Sequence, residues 1–453
     1  MTLPATPDEA ILKNLSVRAA GHAGAGCPDQ AATLYRRILS LQPLHPDAHH
    51  SLGIMLNRMR QVPAAEAAFR AALACRPDNS TGTMQALVEL LQKERRLPDA
   101  EILLRRLLRL KPDHPFGLYE LARTLKAMRR FPEAVRLLRR LLAVYPDMAE
   151  AHCELGGLLM WQGDLEGGFA GWEWRKRTPN FPSPPRDFPE PEWDGGALDG
   201  RTLLVYAERD FGDSLQYVRY VRLLAERGER VALECQAELS RLFAASLPTV
   251  PVLARGMALP PFDCHASLVS LPHLFRTRLE TVPAPVPYLL APRLLPDLAP
   301  PPGTRLTVGL VWASRGGSPT TDARSLPPAL LAPLLALPGV RFYSLQVGER
   351  AADLAGLGEI EDLTPRIRDF ADTAAFMAAL DLIITVDTAA AHLAGGLGRP
   401  TWVLLPYSAA FRWHLKRPDS PWYPTLRLFR QPLNRQWPAV TAAVRQALIE
   451  RLG

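Results

Sequence analysis

Cysteine is scarce in this 453-residue chain, and the five present, at 27, 75, 153, 235 and 264, are scattered and odd in number. That pattern excludes a disulfide framework and a structural zinc site, and it predicts reduced thiols in a cytoplasmic protein. No apolar run is long enough to span a bilayer, and the acidic stretch Met1–Ala10 lacks the core of a signal peptide, so neither feature is expected. There is no Gly-x-Ser-x-Gly elbow for a hydrolase and no His/Cys/Asp constellation for a metal. We therefore expect no metal and no bound cofactor. Excess charge is also small outside the N-terminal part: residues 1–178 hold 25 Lys/Arg against 19 Asp/Glu, and the remainder 28 against 27. The basic stretch Arg95–Arg140 reads as a solvated helix face, with an acidic partner as its other reading, and not as a nucleic-acid surface.

Proline, by contrast, is abundant at 44 residues, and its placement is informative. Prolines 43, 77, 112 and 146 recur at intervals of 34, 35 and 34, each closing a helical pattern. Counted from those prolines, the eighth place holds Gly53, Val88, Ala122 and Gly156, and the eleventh Leu56, Leu91, Leu125 and Leu159. The twentieth holds Ala31, Ala65, Ala100 and Ala134, and the twenty-fourth Tyr35, Phe69, Leu104 and Leu138. Small residues at two places let paired helices approach, and bulky ones fill the space between hairpins. This resembles the tetratricopeptide repeat, over about residues 10–178, with degenerate first and last units. Such a solenoid implies a protein or peptide partner; its other reading is a cap or dimerisation device. Trp172 and Trp174, where the array ends, read as packing.

Residues 179–200 carry prolines 179, 182, 184, 185, 189 and 191, which exclude a helix and predict a stiff linker or surface strap. From Arg201 apolar β-rich runs alternate with helical ones, as in an α/β module with largely parallel strands. Strands are expected at 202–206, 231–235, 267–270, 307–312, 342–346, 382–386, 401–405 and 427–429. Helices are expected at 214–226, 238–245, 328–337, 373–380, 389–395 and 439–452. The proline-rich stretch 283–302 divides the module into two lobes, 201–302 and 303–453.

The sharpest chemical signal is the strand ending Thr385-Val386, followed by Asp387-Thr388-Ala389-Ala390-Ala391-His392. A small-residue helix opens at the carboxyl end of a buried strand, where unpaired N–H groups meet a positive dipole end. We read it as a seat for the diphosphate of a nucleotide sugar. His392, on the first turns, could donate to phosphate or fix the loop. A second loop, Ser314 to Arg324, follows the strand ending at Trp312 and offers N–H groups and a guanidinium, and Gln346 ends the next strand. In the other lobe Gly212-Asp213 starts a helix, with Gln216 one turn on. Asp213 could be a general base or a helix-start residue, and spacing alone does not choose.

Gly212-Asp213, Asp387-Thr388-Ala389 with His392, and Gly398-x-Pro400 together resemble the lipopolysaccharide heptosyltransferase family. Repeats ahead of such a module are similar to bacterial repeat-containing glycosyltransferases and, more distantly, to O-linked N-acetylglucosamine transferases. The resemblance implies a two-lobed GT-B fold, ending in a helix that crosses back to the first lobe, and an inverting, metal-independent glycosyltransferase. It makes Asp213 the acceptor-activating base and Asp387, Thr388, Ala389, His392, Arg324 and Ser314 the donor-diphosphate edge. Gly212, Gln216 and Gln346 would position donor or acceptor. The chain departs from the pattern at Asp210-Phe211, where Gly-x is common, and in the loop after Trp312. Those departures support an alternative, an inactive scaffold that binds a nucleotide sugar while the repeats hold a protein.

Overall fold

The computed structural model describes residues 7–76, 80–179, 181, 186–208, 210–292, 297–314, 323–354, 358–407 and 409–453. The chain divides into two compact units, Met1–Leu155 and Gly156–Gly453.

The first unit consists of helical hairpins. Its helices are α1 (Pro7–Gly24), α2 (Pro28–Leu41), α3 (Pro46–Arg58), α4 (Val62–Cys75), α5 (Thr81–Lys93), α6 (Leu97–Leu110), α7 (Pro115–Ala127) and α8 (Phe131–Val144). Next come α9 (Ala149–Gln162) and α10 (Leu165–Trp172). The repeat positions have a physical meaning. All four alanines of the twentieth place are fully buried, and a Cβ added to Gly53 would stand 2.6 Å from the Phe69 ring. Four turns repeat one device: Arg60, Arg95, Arg129 and Gly163 adopt positive φ. The next amide in each turn reaches back to Leu56, Leu91, Leu125 or Leu159 at 2.8–3.0 Å. This is the Schellman closure, which satisfies a terminal carbonyl; an arginine there bears about 1 kcal/mol of left-handed strain that glycine would not. His45 and His114 cap α3 and α7 by accepting the Ala48 and Gly117 amides, a role the proline period did not show.

The second unit holds two parallel sheets. One comprises β1 (Thr202–Tyr206), β2 (Arg230–Cys235), β3 (Val252–Ala254) and β4 (Cys264–Ser267) in the order β3-β2-β1-β4. The other comprises β5 (Leu306–Val311), β6 (Val340–Ser344), β7 (Ile360–Asp362), β8 (Leu382–Val386), β9 (Thr401–Leu405) and β10 (Leu426–Arg430) in the order β10-β9-β8-β5-β6-β7. The expected strand 267–270 lies earlier, because Ser267 Oγ accepts the Val269 amide and turns the chain into a 3₁₀ segment. The expected helix 328–337 is a 3₁₀ turn, Pro328–Leu331, followed by one α-helical turn.

Both faces of the six-stranded sheet are buried, as parallel sheets require. Leu382, Ile384 and Val386 point to one cluster, and Ile383 to another that also contains the first sheet's Leu203, Val205 and Leu233. The final helix, Trp437–Leu452, lays Trp437, Val440, Val444, Ala447 and Leu448 into the first of these clusters. The expected crossover to the first lobe is therefore corrected: the apolar stripe of this helix is used up on the strands of its own sheet. Residues 191–193 are a strap on the edge of β4, with Trp193 N–H donating to the His265 carbonyl at 2.8 Å. Phe169 of α10 meets Tyr217 and Trp422 edge to face, and Trp172 packs against the same cluster. Among the described residues no helix is long and apolar enough to cross a membrane.

Candidate functional site

Strand order locates the site. In the six-stranded sheet the chain runs outward in opposite directions from β5 and β8, so the topological switch lies between them, and ligands of open α/β sheets sit outside the carboxyl ends there. Val311 pairs with Thr385, which brings the loop carrying Ser314 beside Asp387. Thr388 starts the helix Ala389–Gly396 with extended backbone and no side-chain cap hydrogen bond, and Thr388, Ala389 and Ala390 are half-buried. The first turn thus keeps its amides reachable at a positive dipole end.

Across from it the helix Phe211–Glu226 follows β1. Gly212 is needed for close approach: a Cβ there would stand 3.1 Å from His392 Cδ2 and 3.9 Å from the Ala389 Cα. Asp213 and Asp387, from two different sheets, therefore belong to one neighbourhood.

The two carboxyl groups are held by consecutive residues of the loop after β9. Trp413 Nε1 donates to Asp387 Oδ1 at 2.8 Å. The Ala410 amide also approaches this carboxyl, but Oδ2 is buried and makes no hydrogen bond among the described residues. Burial raises the Asp387 carboxyl above its ordinary range, opposed by the Trp413 hydrogen bond and the Arg324 charge. Arg412 Nη2 pairs with Asp213 Oδ1, and Arg412 Nε donates to Gln216 Oε1. Gln216 is fully buried, and its Nε2 has no partner among the described residues.

His392 is buried, stacked on Trp413 at 5.4 Å, with Nδ1 2.8 Å from the Tyr423 hydroxyl. Burial, with the Arg219 charge added, lowers its pKa to about 3, so the ring is neutral at physiological pH. Of the two roles read from sequence, fixing the loop matches this geometry. Gln346 Oε1 accepts the Trp312 and Ala313 amides at 3.1 and 2.8 Å, which closes the end of β5. Ser314 is buried with its amide on Ser325 Oγ. Arg324 is half-buried and close enough for its charge to act on Asp387. The Gly316-Gly317 loop lies outside the described residues.

Sequence reasoning missed Arg412, Trp413, Tyr423 and Arg219. Arg219 donates to the carbonyls of Gln216, Pro283 and Trp422 and to the Tyr288 hydroxyl, with the Tyr288 and Tyr423 rings at 4.3 and 4.8 Å. It ties the helix of Asp213 to the loop that carries Trp422. At the switch point of the first sheet, Glu208 takes both Arg175 and Ser267. Burial pushes the Glu208 carboxyl up and the Arg175 pairing outweighs it, leaving it below the usual range.

A model of the tetratricopeptide repeat family matches residues 19–80 and 119–173. These hairpins are tetratricopeptide repeats. Protein FlbA of Caulobacter vibrioides is 29% identical over a stretch covering 61% of this chain and 52% of FlbA. The chain thus spans about half the length of that relative. Among solved structures, the crystal structure of MamA is 15% identical, covering 34% of this chain and 91% of that one, with a TM-score of 0.33. MamA 41-end from Desulfovibrio magneticus RS-1 is 16% identical, covering 39% and 100%, with a TM-score of 0.34. At those scores the likeness adds nothing to the fold already described.

Proposed function

We propose that residues 201–453 are an inverting, metal-independent glycosyltransferase of the GT-B type, working in the cytoplasm on a nucleotide-sugar donor, and that the repeats bind a protein or peptide acceptor. The observation that carries this reading is the juxtaposition of Asp213 with the open first turn of the Ala389 helix, each at the carboxyl end of a parallel sheet. In the proposed reaction the acceptor hydroxyl attacks the anomeric carbon as its bond to the β-phosphate oxygen breaks. The hydroxyl proton passes to Asp213, and the electron pair leaves on the nucleoside diphosphate. Amides at Thr388–Ala390 and the Arg324 guanidinium supply the charge stabilisation that a metal gives elsewhere. The test is a panel of nucleotide sugars assayed for thermal stabilisation in EDTA, on wild type and Asp213→Ala. One or more donors should raise the melting temperature of both proteins; stabilisation by none would count against the reading.

A second reading has a specific observation behind it: Arg412 occupies Asp213. A carboxylate holding a guanidinium is a poor base. On that account the module is a scaffold that binds a nucleotide sugar without turning it over, while the repeats bind a protein. Donor stabilisation without release of nucleoside diphosphate would favour it.

A further inference from the structure

The Phe411–Trp413 turn meets both halves of the site at once. Arg412 holds Asp213 and Gln216, and Trp413 holds Asp387 and stacks on His392. Two buried polar atoms in these groups have no hydrogen-bond partner among the described residues, Asp387 Oδ2 and Gln216 Nε2. Positive charge also converges here, since Arg324 and Arg430 both act on Asp387.

We propose that Arg412 is a diphosphate ligand that gates the Asp213 carboxylate, masking it in the free protein and releasing it when an anionic donor takes the guanidinium. This rests on the glycosyl-transfer reading and adds the order of events to it. A guanidinium binds a carboxylate and a phosphate through the same fork of N–H donors, so the two compete for it. Arg412 keeps a partner before and after the exchange, and its side chain, 18% exposed, stands at the edge and not inside the core. With the donor absent, Asp213 stays paired and cannot take a proton from water or from a stray hydroxyl. With the donor present, Arg412 moves to the leaving diphosphate, whose charge grows as the glycosidic C–O bond breaks. Asp213, no longer held by Arg412, then accepts the proton of the acceptor. Base activation and leaving-group stabilisation thus depend on one side chain, which reconciles the occupied carboxylate with a catalytic role.

The experiment is calorimetric titration of the full chain with inorganic pyrophosphate in EDTA, on wild type, Arg412→Ala, Arg412→Lys and Asp213→Asn. Arg412→Ala should weaken binding by about tenfold or more and Arg412→Lys by less, because one charge remains but the fork is lost. Asp213→Asn should bind pyrophosphate more tightly than wild type, by a factor of about three to ten, because its competitor for Arg412 has lost its charge. A merely structural Arg412 would not produce that gain. Unchanged affinity in Arg412→Ala, or no gain in Asp213→Asn, overturns the gating role. Should Arg412→Ala not fold, the Asp213→Asn result decides alone. Wild type that binds neither pyrophosphate nor any nucleoside diphosphate removes the glycosyl-transfer reading and this proposal together. Wild type that turns over a nucleotide sugar while Arg412→Ala does so equally well removes only the latter.

Discussion

Asp387→Asn should stabilise the protein at neutral pH and change how its stability depends on pH. The wild-type carboxyl is 4% exposed, has one oxygen on the Trp413 indole and leaves the other without a hydrogen bond among the described residues. Burial raises its pKa in the folded state, so the folded protein holds this proton more tightly than the unfolded chain does. Stability from this group is then complete below the unfolded carboxylate pKa near 3.8 and is lost as pH rises toward the folded value. Each unit of separation costs about 1.4 kcal/mol once the pH exceeds both values. Asparagine keeps an acceptor for Trp413 and carries no charge to desolvate, so a gain is expected at pH 8, of the size that a buried unsatisfied polar group costs, about 1–3 kcal/mol, shrinking toward pH 4. Denaturant unfolding of wild type and variant at pH 5, 6.5 and 8 measures it. A loss of stability of equal size at all three pH values would refute the reasoning and show that an ionised Asp387 is paired in the folded protein.

Further outcomes follow from the same physics. His392 has its pKa lowered to about 3, so wild-type stability should fall on acidification from the unfolded histidine value of 6.5, by about 1.4 kcal/mol per pH unit. His392→Gln should remove that acid-side slope in the same unfolding series. In the repeats, Gly53→Ala places a Cβ 2.6 Å from the Phe69 ring and should cost about 1–3 kcal/mol. Gly82→Ala, with nothing within 4 Å, should be neutral or gain about 0.5 kcal/mol; the pair is checked by comparing denaturation midpoints. Arg175→Ala removes the guanidinium from the buried Glu208 carboxylate and should cost about 3–5 kcal/mol, and adding Glu208→Gln should recover part of it.

Much of the architecture was legible because its signals are periodic. The small residues at Gly53, Ala65, Ala100 and Ala134 are spaced by the hairpin itself, and the runs at 202–206, 382–386 and 401–405 coincide with β1, β8 and β9. What escaped was short or aperiodic. β3 and β7 are three residues each at sheet edges, too brief for alternation to register. The final helix has an apolar stripe that sequence shows, but the surface it covers depends on the tertiary arrangement. Asp387 and Asp213 could be found because strand–helix junctions have recognisable composition. Arg412 and Trp413 could not, since they sit in a loop between β9 and β10 whose contacts with residue 213 span 199 positions of sequence. The backbone role of Gln346 was hidden for a related reason: an amide at a strand end satisfies neighbouring backbone as readily as a ligand.

The central claim is tested most directly by release of nucleoside diphosphate from nucleotide sugars in the presence of EDTA, measured for wild type and Asp213→Asn. The account predicts release from at least one sugar donor by wild type, reduced about a hundredfold or more in the variant. Release that is equal in both proteins, or absent from wild type across all donors, would contradict it.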